Sequence, residues 1–188
     1  MYKKIFKRIL DLLFGVVIGA ILIIPIMLIY VLIVLMEGKP GIFKQIRIGQ
    51  NEKPFCIYKF RTMVNNAEMI GPQCTKIGDK RITKIGKFLR KTSLDELPQI
   101  LNIIKGDMSF VGFRPGVPEN YKDTDYHSRM FDVKPGITGY AQVNGRSSMT
   151  LEEKRKWEQK YIQDISFKTD LKIIFKTIVC VLKRSGVT

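Results

Sequence analysis

The chain has 188 residues, of which 45% are hydrophobic and 26% are charged, and this composition excludes wholesale disorder. Lys and Arg number 32 and Asp and Glu 17, which gives a net charge of +15. Such a charge predicts an anionic partner: a nucleic acid, a phosphorylated small molecule or an acidic membrane surface. Three widely spaced cysteines and a single histidine exclude a Cys-rich zinc module and a His-cluster metal site.

An uncharged apolar segment lies between Asp11 and Glu37, and it is longer than the roughly 20 residues that cross a bilayer as a helix. Lysines and arginines flank both of its ends, so the positive-inside rule favours the cytoplasm for both. Pro25 lies near the middle, where proline removes a backbone hydrogen bond. These features predict a re-entrant helix-break-helix over residues 1–38. The alternative is a spanning helix with a proline kink.

Residues 39–188 are predicted to form one cytoplasmic domain that is mainly α with a small β-hairpin (α+β). Loose alternation within Ile42–Met63 predicts the hairpin, with its turn at residues 49–51. Apolar residues at helical spacing predict a helix that starts in the segment SLDELPQ and ends at Gly106. A second helix is predicted over Leu151–Ile162.

The last segment, Lys168–Arg184, has an apolar face surrounded by lysines and an arginine. The residues of this face are Leu171, Ile174, Phe175, Ile178 and Leu182. A helix that is apolar on one side and basic on the other is typical of helices lying in the headgroup plane of a membrane. The alternative is an ordinary surface helix packed on a soluble core, but the N-terminal anchor favours the interfacial position.

The adjacent carboxylates Asp95 and Glu96 are the first candidates for chemistry. Ser93 and Glu96 have the spacing of a capping box, and a helix start near Asp95, with Asp95 as the cap, fits Pro98 better. The same two carboxylates could hold a divalent cation together with a phosphorylated substrate. On spacing alone, helix capping is the favoured interpretation.

A second candidate is Arg114, which Pro115 restricts to extended backbone geometry. A guanidinium held in a fixed position can donate two parallel hydrogen bonds to phosphate oxygens. A structural arginine that binds nearby carbonyls would show the same Arg-Pro sequence. Lys59 and Arg61 are two residues apart in a predicted strand, so they face the same side and add positive charge.

Several longer motifs follow one another along the chain: IYKFRTM, SLDELPQ, IIKGDMSFVGFRP, KPGITGYAQVNGR and DLKIIFKT. With this order of motifs, the chain resembles the bacterial sugar transferases. More closely, it is similar to the small monotopic polyprenyl-phosphate phosphoglycosyl transferases, which are little more than the catalytic core. The resemblance covers nearly the whole chain.

The resemblance implies that the protein moves a phosphosugar from a UDP-sugar to a polyprenyl phosphate (undecaprenyl phosphate), releases UMP and initiates surface glycan synthesis. It implies a Mg²⁺-dependent reaction through a covalent enzyme phosphosugar. The expected location is the bacterial cytoplasmic (inner) membrane, among membrane lipids, with the catalytic domain on the cytoplasmic face. The resemblance also makes the re-entrant form of the N-terminal segment the expectation.

Site residues carry over by motif. The resemblance implies that Asp95 is the nucleophile and that Glu96 is its partner at the metal. The remaining residues that it implies are Arg114 and Lys59 at the phosphates, with Arg61 adding charge, Arg146 at the nucleotide, and Asp170 at an acidic position near the active site.

Four positions depart from the family pattern. Ile24 stands where serine often precedes the proline, Phe113 where proline is usual, Tyr140 where tryptophan is usual, and Glu158 where aspartate is common. The nucleophile and Arg114 are intact, so these departures bear on fine positioning and on sugar preference. Glu158 remains a candidate site residue.

Two other classes of function compete with this interpretation. The net charge would suit a membrane-tethered nucleic-acid-binding protein, but the basic residues are spread along the chain and no groove-reading motif is present, so no nucleic-acid partner is expected. A non-catalytic scaffold for surface-polysaccharide enzymes would not need the intact Asp95, Glu96 and Arg114.

Overall fold

The computed structural model describes residues 2–72, 78–121, 128–145 and 149–183. The helices are α1 (Lys7–Glu37), α2 (Ala67–Ile70), α3 (Lys84–Thr92), α4 (Ile100–Lys105), α5 (Tyr140–Asn144), α6 (Leu151–Asp164) and α7 (Phe167–Leu182). The strands are β1 (Ile42–Ile48), β2 (Pro54–Phe60), β3 (Ser109–Val111) and β4 (Gly136–Thr138). The described part is mainly helical with a small amount of β-structure, which confirms the predicted fold class.

The predicted hairpin is confirmed: β1 and β2 pair antiparallel, with Ile42 opposite Phe60. A second, parallel pair of β3 and β4 was not predicted, because the glycines and the proline of residues 134–146 indicated a loop. The glycines instead permit close backbone approach. A Cβ on Gly112 would lie 2.3 Å from the carbonyl oxygen of Lys134, so only glycine fits at this position.

The segment SLDELPQ does not begin an α-helix, so both capping hypotheses are wrong. Ser93 has a left-handed backbone conformation (φ 58°) and follows α3, and its side chain makes no capping hydrogen bond. Leu94–Gln99 is a 3₁₀ helix that leads into α4. In a 3₁₀ helix residues three apart share a face, and Leu94 and Leu97 both pack against the cluster that contains Phe60. Gly106 ends α4 as predicted.

Helix α1 has 31 residues and continues through Pro25, so the predicted break is not confirmed. It is long and apolar enough to cross a membrane. One stripe of the helix packs on the rest of the protein along its length. Ile18 and Ile26 contact the cluster around Ile103, and Ile33 is completely buried. The opposite side of α1 is exposed and apolar.

Both ends of α1 are held by the same domain. Near the N-terminal end, Arg8 donates hydrogen bonds to the carbonyls of Ile103 and Ile104, at 2.6 and 2.9 Å. At the C-terminal end, Arg61 donates to the carbonyls of Glu37 and Gly38, both at 2.7 Å. A cation at the end of a helix satisfies carbonyls that lack a partner within it.

The two predicted C-terminal helices are confirmed as α6 and α7. Helix α6 begins with a capping box formed by Thr150 and Glu153. In α7, Ile173 and Asp170 are buried, whereas all five residues of the predicted apolar face are exposed. With the outer side of α1, this face gives the protein an exposed apolar surface that is compatible with membrane association.

Candidate active site

A cavity of about 1650 Å³ lies between the hairpin, the 3₁₀ helix, the loop after β3 and helix α6. Six candidate site residues of the sequence analysis line it, and so does Arg90, which was not a candidate. The six candidates are Lys59, Arg61, Asp95, Glu96, Arg114 and Glu158.

Glu96 is the member of the acidic pair whose negative charge is balanced by cations. Its Oε1 accepts hydrogen bonds from Lys59 Nζ at 2.8 Å and from the Arg114 guanidinium at 2.6 Å. Burial would raise the pKa of Glu96, but the charges and hydrogen bonds of Arg114 and Lys59 outweigh burial and hold that pKa well below its ordinary value. Glu96 is therefore an anion that gathers two cations at the cavity wall.

Arg114 is positioned by the segment that follows β3. Its neighbour Phe113 is buried and packs edge-on against Phe131, with ring centroids 5.6 Å apart. Its backbone N–H donates to Glu158 Oε1 at 3.2 Å, and Arg47 donates to the carbonyl of Pro115 at 3.1 Å. The Arg114 side chain remains 47% exposed, so part of its fork faces the cavity while part is bound to Glu96.

Asp95 differs from Glu96 in having no polar partner. Within the residues that the structure describes, its carboxylate accepts no hydrogen bond and forms no ion pair at the distances that define one. Burial, and then the charge of Glu96, raise the pKa of Asp95, against the opposing charges of Lys59, Arg114 and Arg90. The Asp95 carboxylate on the cavity wall is therefore available to interact with a ligand.

Arg90 is a cavity residue near Asp95 that the sequence analysis missed. Its Nε donates to Thr62 Oγ1 at 2.8 Å, and its charge acts on Asp95. The signal in the sequence was a basic residue in the last turn of a helix, and ordinary helix C-termini favour the same residue type.

Three other candidates are not bound to the acidic pair. Arg61 lines the same cavity, but its guanidinium binds the end of α1, as described above. Asp170 accepts hydrogen bonds from Tyr2 at 2.7 Å, Lys7 at 2.6 Å and Tyr161 at 2.7 Å, so it connects the start of α1 to α6 and α7. Arg146 lies outside the described residues.

The acidic pair has the donor atoms that Mg²⁺ prefers. In the described ranges no three His, Cys, Asp or Glu side chains are grouped as a metal site, so an all-protein cage is absent there. Mg²⁺ is usually held by one or two carboxylates together with substrate phosphates and water. Asp95 and Glu96 fit that mode, since one of them has no partner and the other has a second oxygen, which is 3.5 Å from Arg114.

A family model described as "Bacterial sugar transferase" matches residues 2–184. The chain belongs to the bacterial sugar transferase family. The match covers α1 and every element of the candidate site.

Individual bacterial sugar transferases are similar over nearly the whole chain. The "Uncharacterized sugar transferase EpsL" of Bacillus subtilis is 40% identical over 184 residues, which are 97% of this chain and 90% of that protein. The "UDP-glucose:undecaprenyl-phosphate glucose-1-phosphate transferase" of Klebsiella pneumoniae is 43% identical over 189 residues, covering 94% of this chain and 40% of that protein. The "Undecaprenyl-phosphate galactose phosphotransferase" of Salmonella typhimurium is 36% identical over 203 residues, covering 98% and 42%. The chain thus spans less than half the length of the Klebsiella and Salmonella proteins.

Proposed function

We propose that the protein transfers a phosphosugar from a UDP-sugar to a polyprenyl phosphate through a covalent intermediate on Asp95, with release of UMP. The observation that carries this proposal is the contrast within the acidic pair. Glu96 is neutralised by Lys59 and Arg114, whereas Asp95 lines the same cavity with no hydrogen-bond partner among the described residues. A carboxylate of that kind is available as a nucleophile.

The names of the relatives support the two substrates. The Klebsiella protein is named for UDP-glucose and undecaprenyl phosphate, and the Salmonella protein for undecaprenyl phosphate and galactose. No feature of the site favours the competing nucleic-acid or scaffold interpretations, since the positive charge around Asp95 lines a cavity instead of an extended surface.

In the first step, a carboxylate oxygen of Asp95 attacks the phosphorus that bears the sugar. The new bond is an acyl phosphate, and the bond between this phosphorus and the UMP oxygen breaks, so that UMP leaves with the electron pair. Attack of an anion on an anionic diphosphate meets like-charge repulsion. Lys59 and Arg114 offset that repulsion, because both hold their charges at the wall of the same cavity.

In the second step, a phosphate oxygen of the polyprenyl phosphate attacks the same phosphorus. The acyl phosphate bond breaks, which restores the carboxylate of Asp95 and gives a polyprenyl diphosphate sugar. Arg114 is the cation best placed to guide both substrates, because its side chain is the more exposed of the two at the site, 47% against 18% for Lys59.

Asp95 and Glu96 would hold Mg²⁺, which when bound would supply additional positive charge for the diphosphate. Chelation with EDTA should therefore stop UMP release, and added Mg²⁺ should restore it. Full activity in the chelator would contradict the metal assignment.

The enzyme acts at the cytoplasmic face of the inner membrane, with both ends of α1 on that face. Two features support this topology. The same domain binds both ends of α1 through Arg8 and Arg61, and basic residues flank the apolar segment on both sides. Cysteines introduced at Tyr2 and Gly38 should both be inaccessible to a periplasmic thiol reagent, and labelling at one of them would demonstrate a spanning helix.

The proposal is tested with detergent-solubilised protein, a panel of UDP-sugars, Mg²⁺ and undecaprenyl phosphate, with UMP as the readout. Given a UDP-sugar alone, the protein should release up to one equivalent of UMP and gain one phosphosugar on the peptide that contains Asp95. Turnover without this adduct, or an adduct on Glu96, would overturn the role given to Asp95.

A further inference from the structure

The cavity of the active site extends beyond the charged groups around Asp95 into an apolar part, called the arm below. Around Asp95 the cavity is lined by charged groups, whereas another part of its lining is largely apolar. The apolar lining comes from α1, α4, α7 and the parallel strand pair: Ile18, Leu22, Ile100, Phe110, Ile137 and Val181. The total volume of about 1650 Å³ exceeds the 300–1000 Å³ typical of a site for one small ligand.

Helices α1 and α7 form the two sides of this arm. Their N-terminal ends are joined by the ion pair of Lys7 and Asp170, with the nitrogen and oxygen 2.6 Å apart. The parallel pair of β3 and β4 lies between the helices as a floor. Ile18 on the α1 side packs on the same cluster as Phe110 of β3 and Ile137 of β4, and Thr177 of α7 is hydrogen-bonded to Thr138 of β4 at 2.7 Å.

The apolar arm adjoins the reaction centre. Leu97 follows Asp95 by two residues and packs on the cluster that contains Ile26 and Ile29 of α1. Ile100, one turn later, lines the cavity and packs on the cluster with Ile18. A ligand in the arm therefore has its other end at the carboxylate.

The outer sides of the same two helices are apolar and exposed. On α1, Leu28 is 66% exposed, and on α7, Phe175 is 68% exposed. Lys172 and Lys176 are exposed on α7 and would face lipid headgroups. The arm thus lies between two helices whose outer sides suit hydrocarbon.

We propose that the arm between α1 and α7 binds the first isoprene units of the polyprenyl phosphate acceptor and delivers its phosphate to Asp95. The inference rests on the proposed function and adds the place where the acceptor binds. An isoprenoid phosphate has the chemistry of this cavity: its apolar chain matches the largely apolar arm, and its anionic head matches the cations around Asp95. A lipid already in the bilayer reaches the site laterally, without leaving the hydrocarbon.

The first test fills the arm with a larger side chain. Leu22→Trp and, from the other side, Val181→Trp should raise KM for undecaprenyl phosphate at least tenfold, while UMP release from the donor alone stays within about twofold of wild type. Leu28→Trp and Ile178→Trp, on the exposed outer sides of the same helices, are the matched controls and should leave KM unchanged. Equal KM values for the arm variants and the controls would overturn the proposal.

The second test measures binding without turnover. Full-length protein with Leu22→p-benzoylphenylalanine should photo-crosslink to undecaprenyl phosphate, and excess unlabelled undecaprenyl phosphate should suppress the product. Suppression by phosphatidylglycerol to the same extent would show a general lipid groove and overturn the assignment. Because this readout needs no donor sugar, crosslinking in a protein that never releases UMP would refute the proposed function and leave the acceptor site standing.

Discussion

Two enclosed aspartates of this protein have opposite surroundings. Asp170 accepts hydrogen bonds from Tyr2, Lys7 and Tyr161, all at 2.6–2.7 Å, and Lys7 supplies a full positive charge. Asp95 has no hydrogen-bond partner among the described residues, and the charge of Glu96 beside it opposes ionisation. Each carboxylate lies where water has little access, but only one of them is already satisfied.

The comparison separates a structural carboxylate from a reactive one. A buried anion that is fully paired contributes through the contacts that it holds, and its loss leaves its partners unpaired. An anion that is buried without a partner costs stability unless a ligand completes it, and such groups concentrate at functional sites. The following substitutions test whether Asp95 and Asp170 belong to these two classes.

The largest effect is expected from Asp95→Asn. This change removes the nucleophile but preserves the shape of the side chain, so the protein should fold normally and turnover should fall by at least about 10³-fold. UMP release and thermal unfolding in detergent measure the two consequences. Retention of more than a tenth of the activity would assign Asp95 to an accessory role.

Arg114→Ala should have the next largest effect on catalysis. Removing one preorganised charged donor costs about 10²–10³ in rate at comparable sites, and here it also frees Glu96 from one of its two cations. Arg114→Lys should recover part of the rate, because it restores the charge without the fork. Rates of UMP release for the two variants give the comparison, and equal rates would show that a charge without the fork recovers nothing.

Asp170→Asn should act on stability instead of chemistry. Lys7 would lose its ion-pair partner Asp170 while staying largely buried, which costs about 3–5 kcal/mol at comparable sites. The melting temperature should fall, whereas the activity per folded molecule at low temperature should remain near that of wild type. Adding Lys7→Met should restore part of the lost stability. A loss of kcat with an unchanged melting temperature would place Asp170 in the reaction.

The smallest effect is expected from Glu158→Gln. Burial raises the pKa of Glu158 from its ordinary value of 4.5 to about 7, so ionisation of this group destabilises the folded state above pH 7 and has no effect below pH 4.5. At about 1.4 kcal/mol per pKa unit, the cost is about 3 kcal/mol at high pH. A glutamine oxygen can still accept from the N–H of Arg114, as Glu158 does.

The Gln variant should therefore be more stable than wild type at pH 8, and the difference should disappear as the pH falls through 7 towards 4.5. Thermal unfolding at several pH values measures it. A difference that does not vary with pH would mean that Glu158 is already neutral at pH 8 or is ionised without cost.

Local sequence determined the elements whose signals lie within a few residues. The alternation within Ile42–Met63 predicted the hairpin, and the helical spacing of apolar residues predicted α6 and α7. The uncharged stretch before Glu37 predicted a helix long enough to cross a membrane. The adjacent acids and the arginine before Pro115 were recognisable as motifs. These features depend on periodicity, proline geometry and composition, which a chain displays before it folds.

Tertiary structure decided what each candidate side chain does, because its partners are distant in sequence. Lys59 reaches Glu96 across 37 positions, and Lys7 reaches Asp170 across 163. The sequence suggested that Arg61 adds charge at the site and that Asp170 lies near it. Arg61 does line the cavity, but it also binds the carbonyls at the end of α1, and Asp170 binds the start of α1. Burial and the choice of hydrogen-bond partner set the charge state of a carboxylate, and both arise only when the segments that carry the partners come together.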